Sequence, residues 1–242
     1  MTEIFAVSLL EESAFEKIKP ALMLRVPEVT RVKIESFMRS NDAQRSLLGE
    51  LLARDLLRKV CGEELPDKPF STGEKGKPGP DGFKGIHFNI SHSGIWVVVA
   101  LSPVAVGIDV ERMRRIPEGV AARFFSEKEN RLLQSAGSDA EKADIFFTLW
   151  TLKESFLKAI GKGLTKNLNS FTVVKTGNQE FMLADDPEAK GYLLKSYYLC
   201  EDYKLAACSA GGRFSDEIHI VDAESLSSLS HSPLKIIRTL KL

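Results

Sequence analysis

Residues 104–111 read VAVGIDVE, and the parity of this stretch decides how the chain is laid out. In an extended strand side chains alternate, so Val104, Val106, Ile108 and Val110 share one face while Ala105, Gly107, Asp109 and Glu111 share the other. The first face is core. The second sets two acids side by side, which repel one another, and burial raises the cost unless a cation compensates. Oxygen-only donors suit magnesium, which takes one or two carboxylates and completes its octahedron with water and substrate phosphates. A strand running out into solvent, with both acids simply hydrated, is the other reading of the same residues.

Downstream, DIFFTLWTLKESFLKAIGKG (residues 144–163) is strongly helical and closed by Gly161 or Gly163. Phe146, Leu149, Trp150, Phe156, Leu157 and Ile160 make its apolar side, while Lys153, Glu154 and Lys158 gather on another. Glu154 and Lys158 stand one turn apart, the spacing of a surface ion pair worth about 0.3–0.5 kcal/mol. The same acid and lysines also suit a metal-bound pyrophosphate, the acid on the ion and the lysines on phosphate oxygens. Before this helix, RFFSEKENRLLQS (residues 123–135) opens with Ser126 and Glu129 in S-x-x-E spacing, so Glu129 either reaches back to cap its own helix or is free for chemistry.

Upstream, SNDAQRSLLGELLARDLLRKVCG (residues 40–62) puts Leu47, Leu48, Leu51, Leu52 and Leu56 on one helical stripe, with Arg45, Arg54 and Arg58 off it. Asn41 and Gln44 stand in capping-box spacing, and Gly62 ends the run. Residues 71–85 hold five Gly, two Pro and three Lys, which predicts an irregular loop and does not match a phosphate-binding GxxxxGK[ST] motif. IHFNISHSG (86–94) and IWVVVALS (95–102) follow as two strands about a turn, and a first strand lies near Ile4 to Leu10. SFTVVK, EFMLAD, YLLKSYYL and YKLAACSA read as a closing meander. The order of elements predicts two similar α+β halves, residues 1–103 and 104–222, with a Ser-rich peripheral tail over 223–242.

Lys plus Arg and Asp plus Glu number 33 each, so no net field draws the chain to nucleic acid or an anionic membrane. No apolar run approaches the ~20 residues of a membrane span, and the first twenty residues lack a basic leader, which predicts a cytoplasmic protein. Cys61, Cys200 and Cys208 show no CxxC spacing, which points to reduced thiols rather than a disulfide framework or a zinc site.

Taken in order, DAQRSLLGELLAR, GKP (76–78), FNISHSG (88–94), GIDVE, FFSEKE and WTLKESFLKAIGKGL resemble the Sfp-type 4′-phosphopantetheinyl transferases, most of all the broad-specificity members that serve nonribosomal peptide synthetases. The resemblance implies a pseudo-twofold α+β fold with coenzyme A in the cleft between two halves. It implies transfer of the 4′-phosphopantetheine arm to a serine of an apo acyl or peptidyl carrier protein, with release of 3′,5′-ADP, in peptide antibiotic assembly by a cytoplasmic monomer. By position, Asp109, Glu111 and Glu154 would hold magnesium, or manganese in its place, and Lys158 would contact the pyrophosphate. Ser91 and His92, placed in a turn, together with Arg45 and Ser46, would meet the 3′-phosphate, and Lys33 would lie near the phosphates. Lys77 and Pro78 would pack on the adenine and ribose. Glu154 or Glu129 would take the serine proton. The basic pair that precedes the first helix in the family is half kept, Lys33 without its partner at Thr30. The carrier would meet an apolar patch with a basic rim, read either in residues 112–123 or as no more than a solvated face there. A magnesium-dependent phosphodiesterase and a non-catalytic coenzyme A binder are the two rival readings.

Overall fold

The computed structural model describes residues 1–62, 70–72, 78–79, 85–228 and 234–241. The first half runs β1 (Thr2–Ser8), α1 (Glu12–Met23), α2 (Glu28–Glu35), α3 (Ser40–Cys61), β2 (Ser71–Thr72), β3 (Pro78–Gly79), β4 (His87–Ser93) and β5 (Trp96–Ser102). The second runs β6 (Val106–Arg112), α4 (Val120–Phe124), α5 (Glu127–Gln134), α6 (Asp139–Ile160), β7 (Thr172–Lys175), β8 (Glu180–Ala184), β9 (Tyr192–Tyr197) and β10 (Tyr203–Ala210), then β11 (Phe214–Val221) and β12 (Ile236–Lys241). Two five-stranded sheets result, ordered β12-β11-β1-β5-β4 and β6-β10-β9-β8-β7.

Alternation along the strands builds the layers. In β1, Phe5 and Val7 pack on the leucine stripe of α3, while Ile4 and Ala6 turn to the other sheet. In β6, Val106, Ile108 and Val110 join that inter-sheet core. The opposite face of the second sheet, with Ala206 and Cys208, packs on Leu152, Phe156 and Leu157 of α6. The molecule is therefore helix, sheet, sheet, helix. Both outer helices have 22 residues, and both end on a glycine in the left-handed region, Gly62 at φ 67° and Gly161 at φ 68°, where other residues are strained. This is the α+β fold of two similar halves that the order of elements predicts.

Three expectations change. The boundary at 103 falls between the last strand of the first sheet and the first strand of the second, but the one between 222 and 223 does not follow sheet membership, because β11 pairs parallel with β1 and β12 extends that same first sheet. The tail beyond 223 is not peripheral throughout: Ala223 and Leu226 sit in the first core, and the carbonyl of Leu226 accepts from Arg25. The Ser-rich run masked the apolar residues on either side. At the start of α3, Arg39 occupies the cap position with no side-chain capping bond, and Gln44 instead is buried and clamps the backbone of Leu10, accepting from its N–H at 2.5 Å and donating to its carbonyl at 3.3 Å.

Helix α6 touches β6 at Gly107. A Cβ there would come within 2.0 Å of the Ser155 carbonyl and 2.4 Å of the Ala159 nitrogen. Replacing Gly107 by Ala should therefore lift the helix off the sheet and destabilise the protein by about 1–3 kcal/mol. For a chain of this size that lowers Tm by roughly 2–4 °C per kcal/mol in thermal denaturation. An unchanged Tm would show that the helix does not seat there.

Candidate functional site

Strands β4 and β6 are the facing edges of the two sheets. Edge strands leave N–H groups unpaired, and here side chains rather than backbone satisfy them. The N–H groups of Ile108, Val110 and Arg112 donate to Asn89 Oδ1 at 2.9 Å, Ser91 Oγ at 3.3 Å and Ser93 Oγ at 3.1 Å. The odd-numbered side chains of β4 thus reach across to β6, while even-numbered Phe88 and Ile90 pack in the α3 core.

The acids of VAVGIDVE sit along this seam. Ser91 Oγ donates to Asp109 Oδ1 at 3.0 Å, and Ser93 Oγ donates to Glu111 Oε2 at 2.9 Å. From α6, Lys158 does not close a surface pair with Glu154; its Nζ lies 2.6 Å from Asp109 Oδ1 and 2.8 Å from Ser91 Oγ. Asp109 is 5% exposed, yet its Oδ2 has no partner, and neither has the buried Oε1 of Glu154. Burial raises the Asp109 carboxyl above its ordinary value, against the pull of Lys158 and Ser91. Burial and then the Asp109 carboxylate raise Glu111, opposed by Ser93, Arg114 and Lys158. Glu154 is pushed up to about 7, by burial first and then by Asp109, with Lys158 opposing and Glu111 adding. The hydrated-strand reading is excluded for Asp109. Three mutually repelling acids face one another, and one lysine does not neutralise them.

Glu129 is elsewhere, and its catalytic reading is corrected. Its Oε2 accepts from the Ser126 N–H at 2.8 Å while its own N–H donates to Ser126 Oγ at 3.3 Å, a complete capping box. Its Oε1 accepts from the Val173 N–H at 2.8 Å, and Lys153 Nζ lies 2.8 Å from Oε2. The pair is 2% and 0% exposed in its side chains, and Lys153 also donates to the carbonyls of Leu168 and Phe171 at 2.8 and 2.6 Å. Both carboxylate oxygens are committed, so Glu129 has none to offer a substrate. Lys153 anchors α6 from inside and leaves Glu154, the next residue, on the seam.

The expected phosphate contacts divide by strand parity. Ser91 and His92 lie in β4, not in a turn, so they point apart: Ser91 joins Asp109 and Lys158, and His92 faces α3. There loss of water around the ring, and then the nearby Arg45 guanidinium, hold the His92 pKa below its usual value. Arg45 donates to the Gly94 carbonyl at 2.6 Å and pairs with Asp42, which ties α3 to the β4–β5 turn. Ser46 follows on α3, half-buried, and Lys33 is exposed on α2. Lys77 lies outside the described residues; the backbone of Pro78 starts β3 and pairs with Thr72. In residues 112–123, Met113, Ile116 and Val120 pack inward on the Phe125 cluster and the arginines are exposed. Asn89, Ser91 and Ser93 as partners of β6 were missed from sequence, although their N-x-S-x-S alternation was visible.

The donor chemistry fits magnesium. Among the described residues no group of three His, Cys, Asp or Glu is close-set enough to hold an ion unaided. The orphaned oxygens of Asp109 and Glu154 fit a cation that takes two carboxylates and draws its remaining donors from water and phosphate. Magnesium at ten times its dissociation constant should stabilise the protein by about 1.4 kcal/mol, a rise of a few degrees in Tm that Asp109→Asn removes. Glu129→Gln should instead lower Tm, by about 3 kcal/mol of stability or more, because it strands a buried lysine. Lost catalysis at unchanged Tm would return Glu129 to the chemistry.

Comparison with known proteins identifies the family. A family profile described as 4′-phosphopantetheinyl transferase superfamily matches residues 105–208, and one described as 4′-phosphopantetheinyl transferase, N-terminal, matches residues 16–104. The chain is 39% identical over 197 residues to 4′-phosphopantetheinyl transferase Sfp of Bacillus subtilis strain 168, covering 81% of this chain and 87% of that protein. It is 37% identical over 205 residues to 4′-phosphopantetheinyl transferase ffp of Bacillus subtilis, covering 85% and 91%. It is 41% identical over 184 residues to 4′-phosphopantetheinyl transferase gsp of Aneurinibacillus migulanus, covering 75% and 76%. With its acids gathered on the seam between two matched halves, the chain belongs to the 4′-phosphopantetheinyl transferases.

Proposed function

We propose that this enzyme transfers the 4′-phosphopantetheine arm of coenzyme A to a serine of an apo acyl or peptidyl carrier protein, and that it does so on the β4–β6 seam. The carrying observation is the unpartnered pair of buried carboxylate oxygens, on Asp109 and Glu154, beside the Lys158 ammonium. Asp109, Glu111 and Glu154 would hold magnesium together with the pyrophosphate. When bound, the ion neutralises charge on the pyrophosphate oxygens, which is where most catalysis of such displacements arises.

The chain's own residues carry the remaining work. The carrier serine oxygen attacks the β-phosphorus of coenzyme A, and the bond from that phosphorus to the bridging oxygen breaks. Glu154 takes the serine proton, since the oxygens of Glu129 are committed elsewhere. Lys158, at the mouth of the seam with its side chain 28% exposed, meets the charge that develops on departing 3′,5′-ADP. Arg45 and His92 form a separate pole on α3 and β4 suited to the 3′-phosphate, with Ser46 next along α3 and Lys33 exposed on α2. Lys77 and Pro78 would take the adenine.

The cytoplasmic, monomeric state and the service of nonribosomal peptide synthesis belong to the same proposal. Among the described residues no helix is long and apolar enough to cross a membrane. The direct test incubates apo carrier proteins of fatty acid, polyketide and peptide type with enzyme, coenzyme A and magnesium, read by intact mass. Addition of one phosphopantetheine to a carrier, lost in Asp109→Ala, is the expected result. Release of 3′,5′-ADP from coenzyme A without any carrier would identify a hydrolase instead.

A further inference from the structure

The seam repeats one device twice. Ser91 accepts the N–H of Val110 and donates to Asp109 Oδ1; Ser93, two residues on, accepts the N–H of Arg112 and donates to Glu111 Oε2. Each serine is fixed by the backbone of the residue after the acid it holds. A hydroxyl has a single hydrogen, so accepting from the backbone leaves that hydrogen for the carboxylate. One oxygen of each acid is thereby engaged from the opposite half of the molecule, and in Asp109 the other oxygen is the buried one left without a partner. Asn89 makes the same seam bond, to the Ile108 N–H, and has no hydrogen bond to any acid among the described residues.

We propose that Ser91 and Ser93 are positioning residues that turn the free oxygens of Asp109 and Glu111 toward the cation. The inference rests on the magnesium reading of the site above. Groups that orient metal-binding carboxylates in this way typically change metal affinity by 10–100-fold when removed. Ser93 gives the clean case, because Ser91 also meets Lys158. The third rung supplies the control, since Asn89 supports the seam without touching the acids.

The test is the magnesium concentration at half-maximal rise of Tm, measured on the full chain with saturating coenzyme A. Wild type, Ser93→Ala, Ser93→Thr and Asn89→Ala are compared, and Asp109→Asn serves as the site knockout. We expect the half-point to rise about tenfold or more in Ser93→Ala, to return toward wild type in Ser93→Thr, and to stay at the wild-type value in Asn89→Ala despite a lower Tm without metal. If Asn89→Ala does not fold, the Ser93→Ala and Ser93→Thr contrast decides alone. A Ser93→Ala half-point equal to wild type, or an equal shift in Asn89→Ala, overturns the inference and leaves the metal reading standing. A wild-type Tm indifferent to magnesium overturns the metal reading, and the inference with it.

Discussion

Helix α6 lies so close to β6 that position 107 has no room for a side chain, and the rest of the site depends on that contact. Ser155 and Ala159 touch the strand at Gly107; Glu154 and Lys158, each the residue before one of those contacts, are carried to its acidic end. Two strand positions beyond the glycine stands Asp109, on the same face, within reach of Lys158. A larger residue at 107 would separate an acid and a lysine on one element from two acids on another. The Glu129–Lys153 pair secures the same helix from its inner side, so of the charges clustered on α6 Lys153 turns inward while Glu154 and Lys158 stay on the seam.

The second constraint is charge. Asp109, Glu111 and Glu154 are each harder to ionise than free carboxyls, because each loses water and because Glu111 and Glu154 also feel neighbouring acids. A fold retains such an arrangement at an energetic cost unless something compensates it. Lys158 compensates part, from one side of Asp109. In the proposed function a divalent ion and a diphosphate would supply the missing charge and ligands for the oxygens left over. Arg45 and His92 sit on the other side of β4 from Ser91 and Lys158, and the proposed function gives that side to the 3′-phosphate.

Much of this was legible in the sequence because period-two and helical patterns fix which side chains share a face. VAVGIDVE assigned its core and acid faces correctly, and both long helices appeared with their terminal glycines. What was not legible depended on long-range pairing. The parallel pairing of β11 with β1 brings residues 214–221 back beside residues 2–7, and no local pattern announces that return. The resemblance grouped Ser91 and His92 in a turn, whereas the strand separates them to opposite sides. Glu129 carried a capping signal and a functional likeness at once, and only the position of Lys153 decided between them.

The central claim is that acids from a strand and from a helix share one divalent ion at the junction of the two halves. A crystal of the enzyme with coenzyme A and manganese, phased on the anomalous signal of the metal, tests it directly. The account predicts a single strong peak at the β4–β6 seam, within about 2.2 Å of carboxylate oxygens of both Asp109 and Glu154 and of pyrophosphate oxygens. A peak bound to the pyrophosphate alone, with the two carboxylates turned from it, would contradict the account.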